Sequence, residues 1–426
     1  MSELHDTAKF AREASYIMAS LGSDVKNKAL ANVALALRDS KEEIFAANKT
    51  DLEEAEKNAL ETPLIKRLKF NEDKLNDVIS GIESLIDLED PVGKVTLRTT
   101  LDDGLELTRV TCPIGVIGVI FESRPDALVQ IASLCIKSGN AVFLKGGSEA
   151  INTNKALAAV ISKAGVDAGL PEGWLNLLTL RSEIADMLKL DEYIDLIIPR
   201  GSNSFVQYIM QNTNIAVLGH ADGVCHTYID SEADTDLAIK VALDAKTQYV
   251  SVCNATETFL VNEALKDSFL PGFIKALQDA GVEVFGDDYV SETFGVNKAE
   301  EWHHEYLAMK CSVKIVKDID EAIAHINHYG SGHTDAIITA NKASAERFMT
   351  MVDSGSVLVN CSTRFADGFR YGFGAEVGIA TSKIHARGPV GLEGLVSYKY
   401  RLVGNGDIVG PYCDGSKKFK HIHHEI

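Results

Sequence analysis

The sequence predicts an α/β protein in which strands and helices alternate along most of the chain. From residue 114 onward, short apolar runs typical of buried strands recur, and most are followed by a segment of helical length. These runs are 114–120, 141–145, 175–178 and 194–198, with later ones near 258–261, 313–316, 335–339 and 356–359. Such alternation indicates mostly parallel sheets with helices on both faces. A length of 426 residues allows two or three domains with a well-buried core.

The first ninety residues have the pattern of amphipathic helices. Apolar residues recur there at spacings of three and four, as in Ala8, Ala11, Ala14, Ile17 and Met18. Similar stripes continue through 24–58 and 62–88, which predicts several helices before the first strand. In 95–98 and 105–110, polar and apolar residues then alternate around an Asp-Gly turn, the signature of a β-hairpin. Because a hairpin exposes its edges, we expect it to pair with another strand.

Composition and charge exclude several classes of protein. Apolar residues make up 46% of the chain, and no run of about 18 of them could span a membrane. The formal net charge of −19 argues against nucleic acid as a partner, because phosphate contacts need clustered Lys and Arg. The seven cysteines are scattered without a C-x-x-C pair, and the charged N-terminus is unlike a signal peptide. We therefore expect a cytoplasmic protein without a disulfide framework.

Cys253 is the leading candidate for a catalytic residue. It lies in the small, polar segment 247–258, which leads into the apolar run 259–261. A thiol in a turn before a buried strand can remain partly exposed, as a nucleophile must, and its thiolate is the reactive form. The alternative is a structural role, because most unpaired cysteines are small buried core residues.

Two strand ends carry residues suited to a phosphate or ribose group. Lys145 ends one strand and is followed by two glycines and Ser148; Arg200, Gly201 and Ser202 follow another and precede a predicted helix. Ligands of open α/β sheets bind at this edge, and backbone amides at helix starts receive phosphates. An exposed lysine in an ordinary turn fits the local sequence equally well. No Gly-x-Gly-x-x-Gly motif follows either strand, so a dinucleotide would not bind in the standard Rossmann manner.

A charged loop follows the first strand of the predicted sheet. Glu122, Arg124 and Asp126 lie there, at the edge where ligands of such sheets usually bind. Together they could hold a zwitterion, and a solvated loop is the alternative.

The histidines do not have the spacing of a metal site, and we predict none. His303 and His304 are adjacent, so on a helix they would point about 100° apart. His325 fits a helix face, and His333 fits a loop residue bonded to the backbone. The C-terminal histidines are most simply a frayed, solvated tail: His421, His423 and His424.

Taken together, these segments resemble the aldehyde dehydrogenase superfamily and, within it, the γ-glutamyl phosphate reductase family. The similarity covers nearly the whole chain and is densest in 316–337 and in the motifs IFESRPD, LIIPRGSN, VCNATET and GFRYGFGAEVGI. The resemblance implies an aldehyde dehydrogenase-like α/β fold with two Rossmann-like parallel-sheet domains and a small β oligomerisation element.

The resemblance also implies domain boundaries and a homo-oligomer. The expected parts are a cofactor-binding domain (1–93 and 113–225), a catalytic domain (226–393), an oligomerisation element (94–112 and 394–411) and a C-terminal tail (412–426). The hairpin would then extend the sheet of a partner subunit, which answers the problem of its exposed edges.

Several residues match functional positions of the superfamily. The resemblance makes Cys253 the nucleophile, and Asn254 beside it is a second catalytic candidate. It assigns the adenosine ribose to Lys145, the diphosphate to the turn Gly201-Ser202, and the nicotinamide ribose to Glu305.

NADPH is the expected cofactor. Ser148 stands where NAD-preferring relatives often carry a glutamate, which would repel a 2′-phosphate. Lys145 and Arg200 can pair with that phosphate. Glu149, next to Ser148, argues against a preference for NADPH because its negative charge would repel the phosphate.

The resemblance implies γ-glutamyl phosphate as the substrate, and this molecule carries an α-carboxylate. An arginine should bind that carboxylate, because an anion in a closed site needs a paired partner. Arg124 and Arg364 are the candidates, with Arg124 the first expectation. Glu122 and His333 complete the set of substrate-binding candidates.

The chain departs from the hydrolytic members of the superfamily at two positions. Those enzymes carry a glutamate base where this chain has Val217, and a valine cannot act as a base. They also carry an oxyanion-binding asparagine where this chain reads Glu122-Ser123-Arg124, so Ser123 or a backbone amide must donate instead. A thioester on Cys253 should therefore persist long enough to meet phosphate or hydride rather than water.

The resemblance thus implies NADPH-dependent reduction of γ-glutamyl phosphate to glutamate-5-semialdehyde, the second step of proline biosynthesis from glutamate. A glutamate 5-kinase that supplies the acyl phosphate is a candidate partner. Two alternatives stay open: another acylating or oxidative semialdehyde dehydrogenase, and a catalytically inactive binding protein of this fold. Val217 counts against the oxidative version, and the retained Cys253 and Lys145 count against the inactive one.

Overall fold

The structure is a computed structural model that describes residues 3–122, 124–180, 182–220, 222–373 and 376–426. The chain divides into two compact units. The first comprises the chain up to Gly201 together with Ile209–Val217 and Gly391–Ile426, and the second comprises Ser202–Tyr208 and Leu218–Val390. No helix in the described ranges is both long and apolar enough to cross a membrane.

The described helices and strands alternate after an all-helical start. The helices are α1 (Glu3–Met18), α2 (Ser23–Asp39), α3 (Lys41–Lys57), α4 (Thr62–Leu68), α5 (Glu72–Asp87), α6 (Pro125–Ser138), α7 (Ile151–Ala168), α8 (Ser182–Met187), α9 (Asn203–Gln211), α10 (Thr235–Thr247), α11 (Leu270–Asp279), α12 (Asp288–Phe294), α13 (Ile319–Tyr329), α14 (Lys342–Met351) and α15 (Gly410–Cys413). The strands are β1 (Val95–Asp102), β2 (Leu105–Pro113), β3 (Val116–Ile120), β4 (Ala141–Lys145), β5 (Leu175–Leu177), β6 (Leu196–Pro199), β7 (Ala216–Val217), β8 (Cys225–Ile229), β9 (Thr256–Asn262), β10 (Glu283–Gly286), β11 (Asn297–Lys298), β12 (Lys310–Val316), β13 (Thr334–Ile338), β14 (Ser356–Val359), β15 (Gly378–Ala380), β16 (Gly388–Val390), β17 (Val396–Val403) and β18 (Ile422–His424).

The predicted N-terminal helices are confirmed as α1 to α5. In α5 the buried residues follow the helical spacing of three and four: Leu75, Val78, Ile79, Ile82 and Leu85. The side chain of Asn71 caps this helix by accepting a hydrogen bond from the backbone N–H of Lys74.

The first unit contains a five-stranded parallel sheet in the order β5-β4-β3-β6-β7. The strands β3, β4 and β6 are buried along their whole length, as their continuous apolar sequences require. Ile120 pairs in register with Lys145 on one side and with Pro199 on the other. The loops that follow these three residues therefore meet at one edge of the sheet.

The second unit contains a seven-stranded parallel sheet in the order β11-β10-β12-β9-β8-β13-β14. The predicted strands of the second block are confirmed as β9, β12, β13 and β14, whereas the short strands β10 and β11 were not predicted. The central strand β8 lies between β9 and β13, so the segments that precede these three strands meet at the amino-terminal edge of the sheet.

The predicted hairpin is confirmed, and it pairs with strands from the end of the chain. β1 and β2 are joined by a turn in which Gly104 has a φ of +76°, and the sheet order is β17-β2-β1-β18. The expectation of a frayed tail is wrong for the last histidines, because β18 pairs antiparallel with β1. His423 Nδ1 contacts the hydroxyl of Thr99 at 3.1 Å, and His424 Nε2 contacts that of Thr100 at 2.8 Å.

Candidate active site

Cys253 lies on a loop at the amino-terminal edge of the second sheet, between α10 and β9, and its side chain is partly exposed. Gly223, just before β8, passes directly beside it. A Cβ atom at Gly223 would lie 2.5 Å from the Cα of Cys253 and 2.6 Å from its Cβ. Only glycine fits at that separation, so the close approach of the two backbone segments fixes where the thiol stands.

A buried imidazole contacts the thiol. His333, which directly precedes β13, is 1% exposed, and its Nε2 lies 3.1 Å from the Sγ of Cys253. Its Nδ1 lies 2.8 Å from the hydroxyl oxygen of Thr334. Burial lowers the pKa of His333 well below its ordinary value, so the resting imidazole is neutral. When Nδ1 donates to Thr334, Nε2 carries the lone pair that can accept the proton of the thiol.

Two further side chains hold the backbone of the nucleophile loop. The thiol of Cys225, at the start of β8, donates to the carbonyl oxygen of Cys253 at 3.1 Å. Burial raises the pKa of Cys225 well above its ordinary value, so this second thiol is structural rather than reactive. The side-chain amide of Asn254 donates to the carbonyl oxygen of Ala366 at 2.9 Å, which ties the loop to the segment that carries Arg364.

Arg364 is a buried cation in the same unit as the nucleophile. It is 8% exposed, and its Nε donates to the Oε1 of Gln248 at 3.0 Å. Burial lowers the pKa of its guanidinium and Arg370 acts in the same direction, while negative charge on Asp367 and on Cys253 opposes them. The bond from Asn254 to Ala366 places the segment that carries Arg364 beside the nucleophile loop.

His220 is a third polar side chain at the thiol. Its Nδ1 lies 2.9 Å from the carbonyl oxygen of Ile379, to which it can only donate. Its ring packs edge-on against that of His333, with the centroids 4.8 Å apart and the planes at 78°.

The cofactor candidates of the first unit lie where the loops after β3, β4 and β6 meet. Lys145 is 5% exposed, and its ammonium group donates to the carbonyl oxygen of Gly146 at 2.5 Å. The backbone N–H of Arg200 donates to the carbonyl oxygen of Ile120 at 2.7 Å, which continues the pairing of β6 with β3. Ser148 is exposed beyond the end of β4, and its hydroxyl lies 3.5 Å from the carboxylate of Glu149.

A cavity of about 200 Å³ opens at the same edge. Its lining residues are Arg67, Phe121, Glu122, Arg124, Ala127, Arg200 and Gly201. Arg67, from α4, was not predicted from the sequence, because nothing local to α4 indicates that it would reach this edge of the sheet. Three guanidinium groups against the single carboxylate of Glu122 leave the lining net positive, which suits a phosphate-bearing ligand.

The charged loop after β3 is partly paired within itself. Arg124 donates to the buried carboxylate of Asp126 at 2.8 Å, and Lys74 lies 3.7 Å from the same carboxylate. The third predicted member, Glu122, is exposed and lines the cavity. Ser123, the predicted oxyanion donor, lies outside the described residues.

Glu305 belongs to the second unit, where it contacts Asn203, the residue that follows Ser202. The side-chain amide of Asn203 donates to Glu305 Oε2 at 3.2 Å and also to the carboxylate of Asp222. Since Ser202 directly precedes Asn203, the structure brings Ser202, one of the two predicted diphosphate residues, near the predicted ribose ligand within the second unit.

The cofactor and catalytic candidates are thus distributed over the two units. The first unit holds Lys145, Ser148, Arg200, Gly201, Glu122 and Arg124. The second holds Cys253, Asn254, Ser202, Glu305, His333 and Arg364.

Comparison with known proteins gives the class of protein that this fold and cysteine site define. The sequence profile of the aldehyde dehydrogenase family matches residues 2–290 and 297–395. An acetylating aldehyde dehydrogenase from Geobacillus thermoglucosidasius, 17% identical, shares the fold with a TM-score of 0.65 over 95% of this chain and 97% of that one. The chain has the architecture of an aldehyde dehydrogenase-type oxidoreductase.

Nearer relatives narrow the class. The gamma-glutamyl phosphate reductase of Pelotomaculum thermopropionicum is 61% identical over 98% of this chain and 97% of that protein. The crystal structure of the gamma-glutamyl phosphate reductase of Thermotoga maritima, 40% identical, superimposes with a TM-score of 0.93 over 96% of this chain and 100% of that one. The chain belongs to the gamma-glutamyl phosphate reductases within the aldehyde dehydrogenase family.

Proposed function

We propose that this chain reduces γ-glutamyl phosphate to glutamate-5-semialdehyde and phosphate with NADPH as the reductant, as a step of proline biosynthesis. The observation that carries the proposal is the 3.1 Å contact between Cys253 Sγ and His333 Nε2. A partly exposed thiol with a neutral proton acceptor is suited to acyl transfer. The relative that is 61% identical, from Pelotomaculum thermopropionicum, is named for the same acyl phosphate.

Acyl transfer to the thiol is the first step of the proposed mechanism. His333 Nε2 takes the proton of Cys253 as Sγ attacks the acyl carbon of the substrate. The bond between that carbon and the phosphate oxygen breaks, phosphate leaves, and a thioester remains on Cys253. One difficult reduction is thereby divided into two easier steps.

Reduction of the thioester is the second step. When bound, the nicotinamide supplies the hydride that this step consumes. The tetrahedral adduct on Cys253 then collapses to the aldehyde, the thiolate leaves, and it recovers its proton from the His333 imidazolium. Val217 stands on β7 at the position of the hydrolytic base, so the chain offers no carboxylate there to direct water at the thioester.

The basic edge of the first sheet fits a phosphate-bearing dinucleotide. Lys145 is held at the end of β4, and Arg67, Arg124 and Arg200 surround the adjoining cavity. We assign the 2′-phosphate of NADPH to Lys145 and Arg200, with Ser148 leaving space for it. Comparable kcat/KM values for NADPH and NADH would contradict this assignment.

We propose that Arg364, and not Arg124 as the sequence predicted, binds the substrate's α-carboxylate. Arg364 is buried, and its segment is bonded to the residue that follows Cys253, whereas Arg124 already pairs with Asp126. Replacing Arg364 by Ala should cost about 2–5 kcal/mol in kcat/KM for the semialdehyde, because a desolvated carboxylate loses its partner. The same change should have little effect with a tail-less aldehyde. A selective loss in Arg124→Ala instead would move the assignment to the loop after β3.

The reaction run in reverse tests the proposed function. The protein is mixed with glutamate-5-semialdehyde and NADP⁺, and NADPH absorbance is followed with and without phosphate. Sustained turnover that needs phosphate supports the proposal. Sustained turnover without phosphate would indicate an oxidative semialdehyde dehydrogenase, and the absence of turnover would indicate an inactive binding protein.

A further inference from the structure

Three potential metal ligands meet at the thiol, and the proposed mechanism uses only two of them. Cys253 Sγ and one ring nitrogen each of His220 and His333 all lie within 4.8 Å of one another. No other group of three such side chains in the described ranges is as compact. Although the sequence predicts no metal site, these residues are distant in the chain and meet only in the fold, and we propose that Cys253, His220 and His333 form a binding site for a single Zn²⁺ ion, which competes with the substrate for the thiol.

The spacing of the ligand atoms fits a tetrahedral ion after small movements. Zinc bonds of about 2.0–2.3 Å place neighbouring tetrahedral ligand atoms roughly 3.3–3.6 Å apart. The Sγ of Cys253 and the Nε2 of His333 are already 3.1 Å apart. His220 and Cys253 are partly exposed, so side-chain rotation can bring the third ligand to bonding distance and an ion can reach the site from solvent.

The surroundings of both histidines have the form that zinc ligands require. A ligating imidazole usually donates its other N–H to a carbonyl or another polar oxygen, which fixes the tautomer and the orientation of the ring. Here His220 Nδ1 meets the carbonyl oxygen of Ile379, and His333 Nδ1 meets the hydroxyl oxygen of Thr334. With both protons on Nδ1, both rings carry their lone pair on Nε2.

The donor set selects the class of ion. One thiolate and two imidazoles suit zinc, whereas magnesium and calcium require oxygen ligands. Binding releases the thiol proton to solvent and commits the sulfur lone pair to the metal. The sulfur can then no longer attack an acyl carbon, so zinc should inhibit the enzyme reversibly; this consequence, unlike the binding itself, rests on the proposed function.

Cobalt titration of the full chain tests the site without any need for turnover. Co²⁺ replaces Zn²⁺ in such sites, and sulfur coordination gives a charge-transfer absorption band. The wild type and the control variant His328→Ala, which removes an exposed histidine outside the cluster, should bind one Co²⁺ with this band. Cys253→Ser should lose the band, and His220→Ala should bind at least tenfold more weakly. Binding without the band, as at His421 or His423, or equal affinity in His220→Ala, would overturn the proposal.

Alkylation of the unaltered protein provides a second test that does not depend on a variant folding. Zn²⁺ should slow iodoacetamide labelling of Cys253 and leave labelling of the exposed Cys413 unchanged, as read by peptide mass spectrometry. Equal labelling of Cys253 with and without Zn²⁺ would overturn the site. Protection of Cys253 in a protein that lacks phosphate-dependent turnover would leave the metal site standing and remove the proposed function instead.

Discussion

At the scale of single residues, the reactivity of the thiol depends on the imidazole of His333. Replacing His333 by Ala removes the proton acceptor 3.1 Å from Cys253 Sγ and should lower kcat by about 10²–10⁴-fold. Alkylation of Cys253 should slow in parallel, and added imidazole should restore part of both rates. His328→Ala, which removes an exposed histidine, serves as the control. If Cys253 were alkylated as fast in His333→Ala as in the wild type, His333 would have no part in activating the thiol.

Gly223 determines the position of the thiol by its lack of a side chain. In Gly223→Ala the new Cβ would meet the Cα and Cβ of Cys253 at 2.5 and 2.6 Å, so the nucleophile loop must move. A displacement of about 1 Å at a reacting group can cost on the order of 10²-fold in rate. Gly272→Ala, in α11 with no atom within 4 Å of the added Cβ, is the matched control. Equal kcat values for the two variants would show that the loop yields without moving the thiol.

Some of these residues were predictable from local sequence and others were not. Cys253 could be identified because a polar turn before a buried strand is visible in the chain itself. Its partner His333 lies 80 positions away in the sequence. His333 reaches the thiol because β9 and β13 both pair with β8, so the segments that precede these strands lie at the same edge of the sheet. The sequence therefore led to a substrate-binding role for His333, and the contacts of Gly223 and Cys225 were not predicted at all.

At the scale of secondary-structure elements, a buried ion pair joins α10 to β9. Lys246 and Glu257 are both 0% exposed and lie 2.5 Å apart, and the backbone N–H of Leu307 also donates to the carboxylate at 3.3 Å. Burial raises the pKa of Glu257 to about 7 even beside the lysine. The pair thus holds together two elements that flank the nucleophile loop.

Removing one member of this pair should destabilise the fold more than removing both. Lys246→Met leaves a buried carboxylate without its cation and should lower the free energy of unfolding by about 3–5 kcal/mol, measured with urea. Adding Glu257→Leu should recover most of that loss. Because a neutral carboxyl is easier to bury, the loss in the single variant should be smaller near pH 4.5, the ordinary pKa of glutamate, than at neutral pH. A double variant no more stable than the single one would refute this account.

Strands were predictable where their sequence is long and apolar, and less so where pairing alone creates them. β3 and β4 could be identified from their apolar runs, and β9 from the apolar residues 259–261 at its centre. β18 is only three residues long and exposed, and it exists because β1 offers it an edge to pair with. The residues around 422–424 do not show that β1, far away in the sequence, will pair with them. For this reason the last histidines were expected to fray.

At the scale of the whole molecule, β17 leaves an exposed apolar edge. It is the terminal strand of its sheet, and Tyr398, Tyr400 and Leu402, which alternate along it, are each more than half exposed. We propose that a second copy of the chain covers this edge, as expected of the oligomerisation element, because unpaired apolar strands otherwise promote aggregation.

Charged residues on this edge should separate the subunits. The double variant Tyr400→Asp/Leu402→Asp should sediment as a monomer of 46.2 kDa, whereas the wild type should be heavier. Tyr16→Asp, which changes an exposed residue on α1, should leave the sedimentation unchanged. A wild type that is already monomeric at micromolar concentration would rule out this role for β17.

In the proposed reaction, the thioester on Cys253 exchanges its acyl group with phosphate and not with water. Rapid mixing of the wild type with glutamate-5-semialdehyde and NADP⁺, in the absence of phosphate, tests it directly. We expect a burst of one NADPH for each Cys253, then almost no further turnover until added phosphate restarts it. Steady NADPH formation before phosphate is added would mean that water resolves the thioester, and the absence of any burst in an enzyme that turns over with phosphate would mean that no thioester forms.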